Sequence, residues 1–282
     1  PMDKEVRQDL DAHLHGGIPA VDVDDGLAHY WAVCPSLKDM VFAPLKGRKG
    51  FYEVCTDVTL LADNMSSDKS FEKQMLAYGK MVAEGCEELT QEGQKIDVGC
   101  DPKKLVEKWG GSLLRLAQEK SALVDPYDVY EVFMNYWADV MQDDCYLISR
   151  DGWKVNLIRP KKKNYTFLDL SCDLLPPMVL IKERFAKEYQ NRCDRVAELE
   201  AVQSDYDERV AELEEDDEIP DEVQQLKKRI AQFKKDLKSD DQSLTLLVER
   251  AYERLGEDET KELVVFHKWC ENLSARFAAE QA

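Results

Sequence analysis

The chain has 282 residues, enough for one large domain or for a globular domain with an extension. Its 57 acidic and 38 basic residues give a formal charge of −19, which argues against gripping nucleic acid over a broad face. No apolar run approaches the roughly 20 residues of a membrane span, and the first residues lack the basic and apolar regions of a secretion signal, so a cytoplasmic location is expected.

Residues 1–24 read as an irregular arm. His13 and His15, beside Gly16-Gly17, have no third ligand nearby and read as part of a loop rather than a metal site. The eight cysteines are scattered, with no Cys-x-x-Cys pair, so reduced and mostly buried thiols are expected. A short helix is predicted around Leu27, Ala28, Tyr30 and Trp31, ending at Cys34-Pro35 because a proline disfavours helical geometry in the residue before it. Lys46-Gly47-Arg48-Lys49-Gly50 reads as a basic loop. Met75, Tyr78, Val82 and Leu89 mark a long amphipathic helix starting at Phe71, and Leu105, Trp109, Leu113 and Leu116 mark another after Asp101-Pro102.

Asp125 and Pro126 are a helix N-cap and a first helical residue. Val129, Val132, Phe133, Tyr136, Trp137, Val140 and Met141 then form one wide apolar face, and Gln142-Asp143-Asp144 is expected to end the helix. Strand formers at Cys145–Ser149 and Trp153–Ile158 flank Arg150-Asp151-Gly152, which predicts a hairpin. With Tyr165–Leu170 this makes a three-stranded meander at about 145–170. Its Lys161-Lys162-Lys163 tip, with Arg159, reads either as a phosphate contact or as a solvated tip that blunts a sheet edge.

The last third carries heptad spacing. Phe185, Tyr189, Val196, Leu199, Tyr206, Val210 and Leu213 form one seam, interrupted at Arg192 and Gln203. An acidic turn through Pro220 follows, and Val223, Leu226, Ile230, Phe233 and Leu237 form a second seam. This predicts an antiparallel helical hairpin with a first arm of roughly 50 Å and a second under about 30 Å. Two further helices are expected, one on Leu244, Leu247, Val248, Ala251 and Leu255 and one on Leu263, Val264, His267, Cys270, Leu273 and Phe277. The fold expected is mainly α: a helical domain with a small antiparallel β meander (1–177), then a long helical hairpin and C-terminal helices (178–282). The hairpin stripe (Val196, Leu199, Tyr206, Val210, Leu213, Val223, Leu226, Ile230 and Phe233) reads as a surface for a partner helix, with internal packing as the alternative.

Several segments carry a family likeness: Asp125-Pro126-Tyr127-Asp128-Val129-Tyr130 through Tyr136-Trp137 to Gln142-Asp143-Asp144-Cys145-Tyr146-Leu147-Ile148, together with Ala12–Pro19, His29–Leu37, Asp173–Pro177, and Lys261–Val265 before Lys268-Trp269. In this order they resemble the C-terminal region of the modification (M) subunit of type I restriction–modification systems, which methylate adenine N6 in DNA. The resemblance implies a helical part that packs on the specificity (S) subunit, and on a second M subunit, and meets DNA only within the complex. It implies S-adenosylmethionine as cofactor of the parent subunit.

The catalytic motifs of that family are not found in this sequence. Gly16-Gly17 and Gly110-Gly111 lack the strand-to-helix setting of a cofactor loop. Pro176-Pro177 lies between Leu175 and Met178, without the Asn or Asp and the aromatic that hold a flipped adenine. No catalytic, cofactor-binding or metal residue is therefore assigned, and the chain is expected to be inactive alone. Competing readings are a free-standing helical adaptor and an independent DNA-binding module acting through Arg159, Lys161, Lys162 and Lys163.

Overall fold

The computed structural model describes residues 17–55, 65–122, 124–212 and 220–279. His13, His15 and Leu213 lie outside them. The chain is mainly helical with one small antiparallel sheet, and it divides into two compact units. The first takes in Pro1–Glu88, Lys103–Trp137 and Leu273–Ala282; the second takes in Leu89–Pro102 and Ala138–Asn272. Ala138–Pro177 falls in the same unit as the helices up to Asn272.

In the first unit, β1 (Ile18–Pro19), β2 (Phe42–Pro44) and β3 (Phe51–Val54) form the sheet in the order β1-β3-β2. Between β1 and β2 run three short helices, α1 (Ala20–Asp24), α2 (Ala28–Val33) and α3 (Pro35–Val41). The basic loop at Lys46–Gly50 joins β2 to β3, pairing Phe42 with Val54 and Pro44 with Tyr52. The expected arm is therefore ordered from Ile18 to Asp24, and α2 ends before Cys34-Pro35 as proline geometry requires.

The same unit holds α4 (Lys69–Gly93) up to Glu88, α5 (Pro102–Lys120) from Lys103, and α6 (Pro126–Tyr136). The Asp68 carboxylate accepts from the Ser70 and Phe71 amides at the start of α4, and Asp125 accepts from the Tyr127 amide at 2.8 Å. Tyr78, Met81 and Val82 of α4, Trp109, Leu113 and Leu116 of α5, and Val129 and Phe133 of α6 are buried. Gly110 lets α5 approach α6, since a Cβ there would stand 2.9 Å from the Tyr130 ring. Trp109 and Trp137 meet edge to face at 6.0 Å.

The expected meander at 145–170 is not formed. Helical geometry continues past α6 through a π-helical stretch, Trp137–Met141, into α7 (Gln142–Asp151). Met141, Cys145 and Ile148 are all buried, a spacing of four and three rather than the two of a strand. Gln142-Asp143-Asp144 does not end the helix, because the Asp144 carboxylate is buried and paired. Gly152 serves as the C-cap of α7, at φ 74° and ψ −160°, rather than as a hairpin turn. Of the second expected strand only one antiparallel bridge forms, Ile158 with Ser171.

The rest of the second unit is α8 (Pro177–Arg184), α9 (Ala186–Ala211), α10 (Asp221–Tyr252), α11 (Glu257–Lys261), a π-helical stretch Glu262–Cys270, and the start of α12 (Glu271–Ala279). α9 and α10 form the antiparallel hairpin, with register set by Arg192–Asp241 at 2.9 Å and Arg195–Asp240 at 3.2 Å. The expected arm lengths are reversed. α9 has 26 residues and α10 has 32, since the segment carrying Leu244 and Val248 continues α10 rather than starting a new helix.

Gly152 sits in a backbone region that only glycine occupies without strain. Gly152→Ala is expected to destabilise the chain by about 1–3 kcal/mol, read from urea unfolding midpoints. An unchanged midpoint would mean that α7 does not need this cap.

Candidate functional site

The most tightly built polar cluster joins α7 to the π-helical stretch Glu262–Cys270. Asp144 is 3% exposed and Lys268 is 8% exposed, so both charges lie inside the protein. The Lys268 ammonium donates to Asp144 Oδ1 at 2.8 Å, to the Leu174 carbonyl at 2.8 Å and to the Asp173 carbonyl at 3.4 Å. The Trp269 indole N–H donates to Asp144 Oδ2 at 2.7 Å. Consecutive residues of a regular helix diverge by about 100°, yet Lys268 and Trp269 converge on one carboxylate, and they do so where the ladder departs from α geometry.

The carboxylate is met by Lys268 and Trp269, and the ammonium by Asp144 and two backbone carbonyls. The three N–H donors of the ammonium and both carboxylate oxygens are engaged, so the cluster ties three segments together. Around it, the Trp153 indole donates to the Ile96 carbonyl at 2.8 Å and the Ser149 hydroxyl to the Cys100 carbonyl at 2.6 Å. The Tyr252 hydroxyl donates to the Leu175 carbonyl. Burial pushes the Cys145 thiol and the Tyr252 hydroxyl up, which keeps both neutral.

The hairpin residues expected to dock a partner are brought together, but largely on each other. Val223, Leu226 and Ile230 are buried in α10, and Phe233 is half-buried. Val196, Leu199 and Tyr206 of α9 are half-buried, while Val210 is 40% exposed. α9 has no fully buried residue along its 26 positions.

The expected phosphate contacts are partly engaged within the second unit. Arg159 pairs with Glu249 at 2.6 Å, where the Tyr165 hydroxyl also donates, and Lys162 pairs with Asp169 at 2.6 Å. Lys161 and Lys163 are exposed. These lysines belong to an irregular segment rather than to a hairpin tip.

Sequence reasoning missed Asp144 and Lys268 as partners. The available signal was a carboxylate at a buried helical phase, four residues before Ile148 and three after Met141. None of the eight cysteines forms a disulfide: Cys34, Cys86, Cys145, Cys172 and Cys270 are buried, Cys100 and Cys193 are half-buried, and Cys55 is exposed. Among the described residues, no helix is long and apolar enough to cross a membrane, and no group of three or more His, Cys, Asp or Glu is arranged to hold a metal ion. Comparisons with protein-family models, with curated proteins and with solved structures found no match.

Removing one charge of the buried pair strands the other. Lys268→Met is therefore expected to cost about 3–5 kcal/mol, and Asp144→Leu with Lys268→Met less than the two single changes added together. Additive losses in urea unfolding would contradict the pairing.

Burial holds the Asp144 carboxyl above its ordinary range, outweighing the opposing pull of Lys268 and Trp269. The folded chain thus binds this proton more tightly than the unfolded one. The contribution is fully present below about pH 3.9 and is lost as pH rises through the folded value. Asp144→Asn should flatten the fall in stability across that window, measured as unfolding midpoints against pH; an unchanged slope would contradict it.

Proposed function

We propose that this chain is a helical assembly module, the part of a type I modification subunit that packs on the specificity subunit and positions the methyltransferase around DNA. The supporting observation is α9: an amphipathic helix of 26 residues with no fully buried side chain, lying on a partner helix within a two-helix hairpin. Two helices cover only part of each other's apolar stripe, and a four-helix arrangement with helices of another subunit covers the remainder. The segments that resemble the modification subunit suggest which subunit that is.

On this reading Val196, Leu199 and Tyr206 serve two contacts, one with α10 and one with the partner, and Val210 is free for the partner. The parent protein uses S-adenosylmethionine to methylate adenine N6 in the cytoplasm, and this part contributes assembly. The Asp144–Lys268 pair, bonded to Trp269 and to two backbone carbonyls, fits a scaffold.

The test is co-purification of the complete reading frame containing this chain with the specificity subunit encoded beside it. Val202→Asp with Val210→Asp, on half-buried and exposed positions, should lower the captured partner at least about tenfold while circular dichroism keeps its helical signal. Undiminished capture with the fold preserved, or a reading frame with no methyltransferase motifs upstream, would overturn the proposal.

A further inference from the structure

α10 carries a second feature, independent of its seam. Lys227, Lys234 and Lys238 follow one another at intervals of seven and four residues and so share one row of the helix; Lys228 and Lys235, seven apart, form the adjoining row. All five are exposed, the first row bordering the buried Val223 and Ile230 and the second lying further round the helix. The row spans about 16 Å.

The carboxylates nearest in sequence are held elsewhere. Asp236 accepts from Gln232 at 2.8 Å, Asp240 pairs with Arg195, and Asp241 pairs with Arg192. No ion pair engages the five lysines among the described residues. Glu249 lies three turns beyond Lys238 on the same row, and Arg159 docks on it at 2.6 Å. The segment with exposed Lys161 and Lys163 is thus tied to α10 about 16 Å beyond the last lysine of the face.

We infer that this face of α10 is a sequence-independent contact for the phosphate backbone of a nucleic-acid duplex. The inference deepens the assembly reading above, and rests on it for the biological setting. Three observations favour a duplex. The cations are all lysines, compact point charges that meet phosphate without a fixed geometry, as a sequence-independent contact requires. The exposed neighbours of the lysines are Gln224, Ala231 and Gln242, and the apolar ones, Val223, Ile230 and Leu237, are buried or half-buried, so the face presents no large apolar or aromatic anchor, whereas protein interfaces are depleted in lysine and centred on such anchors. A membrane-surface helix likewise needs apolar side chains to insert. The narrow track also reconciles a phosphate contact with the charge of −19, since the rest of the surface repels the duplex and confines it there.

The experiment uses the full chain and a labelled duplex of about 30 base pairs, followed by fluorescence anisotropy between about 20 and 200 mM salt. Binding should be independent of sequence, with a slope of log K against log salt of about −4. The variant carrying K227Q, K228Q, K234Q, K235Q and K238Q should lose at least about tenfold in affinity and most of that slope. A control with K69Q, K73Q, K80Q, K95Q and K154Q makes the same change in net charge on exposed lysines elsewhere and should retain both.

A wild-type chain that leaves the duplex free at low salt overturns the inference, as does a five-lysine variant that binds like wild type or a control that loses as much. Preferential capture by polyglutamate or by phosphatidylserine vesicles overturns it too. Each of these failures leaves capture of the specificity subunit intact, whereas failure of the assembly reading abolishes that capture in the unmodified chain.

Discussion

The second unit is organised around a buried ion pair. Lys268 and Asp144 lie 124 residues apart in the chain and meet in the interior, where an unpaired charge of either sign would cost several kcal/mol. The Leu174 and Asp173 carbonyls and the Trp269 indole complete the bonding, so α7, the segment before α8 and the π-helical stretch near the C-terminus are held at one point. The aromatic contact of Trp153 with Trp269, at 6.4 Å, packs beside it. Leu180, Ile181, Val264 and Val265 add apolar burial around the same segments.

The hairpin is built on a different balance. Its seam is apolar at Val223, Leu226 and Ile230, but its register comes from arginine–aspartate pairs that are half-buried at its edge. Such pairs contribute little net stability and mainly fix alignment. α10 is anchored at its C-terminal half through Leu244, Val248 and Tyr252, whereas α9 has no comparable anchor along its length. The unit thus joins a firmly tied region to a helix with its apolar side half covered, and the five lysines of α10 are exposed.

Much of the helical organisation was legible because helix period and caps are local. Asp125-Pro126 starts α6, Tyr78 and Val82 lie on the buried side of α4, and the two seams pair as a hairpin. What misled was residue type without period. Cys145–Ile148 is rich in strand formers, yet the buried Met141, Cys145 and Ile148 follow helical spacing, so tertiary packing outweighs propensity. Gly152 marks an end in either reading, but it caps a helix. The sheet was missed because its strands are two to four residues long, too short to show alternation. Lys268 was not assigned a role because a buried cation leaves no local trace: its partner is 124 residues away. The arm lengths were misjudged because Ser239–Gln242 is polar without interrupting α10.

The most direct test of an assembly role is hydrogen exchange of the complete protein, with and without the specificity subunit. Alone, the amides of α9 should exchange much faster than those of α7, which the buried ion pair holds. Addition of the specificity subunit should slow exchange selectively across residues 186–211. Exchange in α9 that is already as slow as in α7, or that is unchanged by the specificity subunit, would contradict the account.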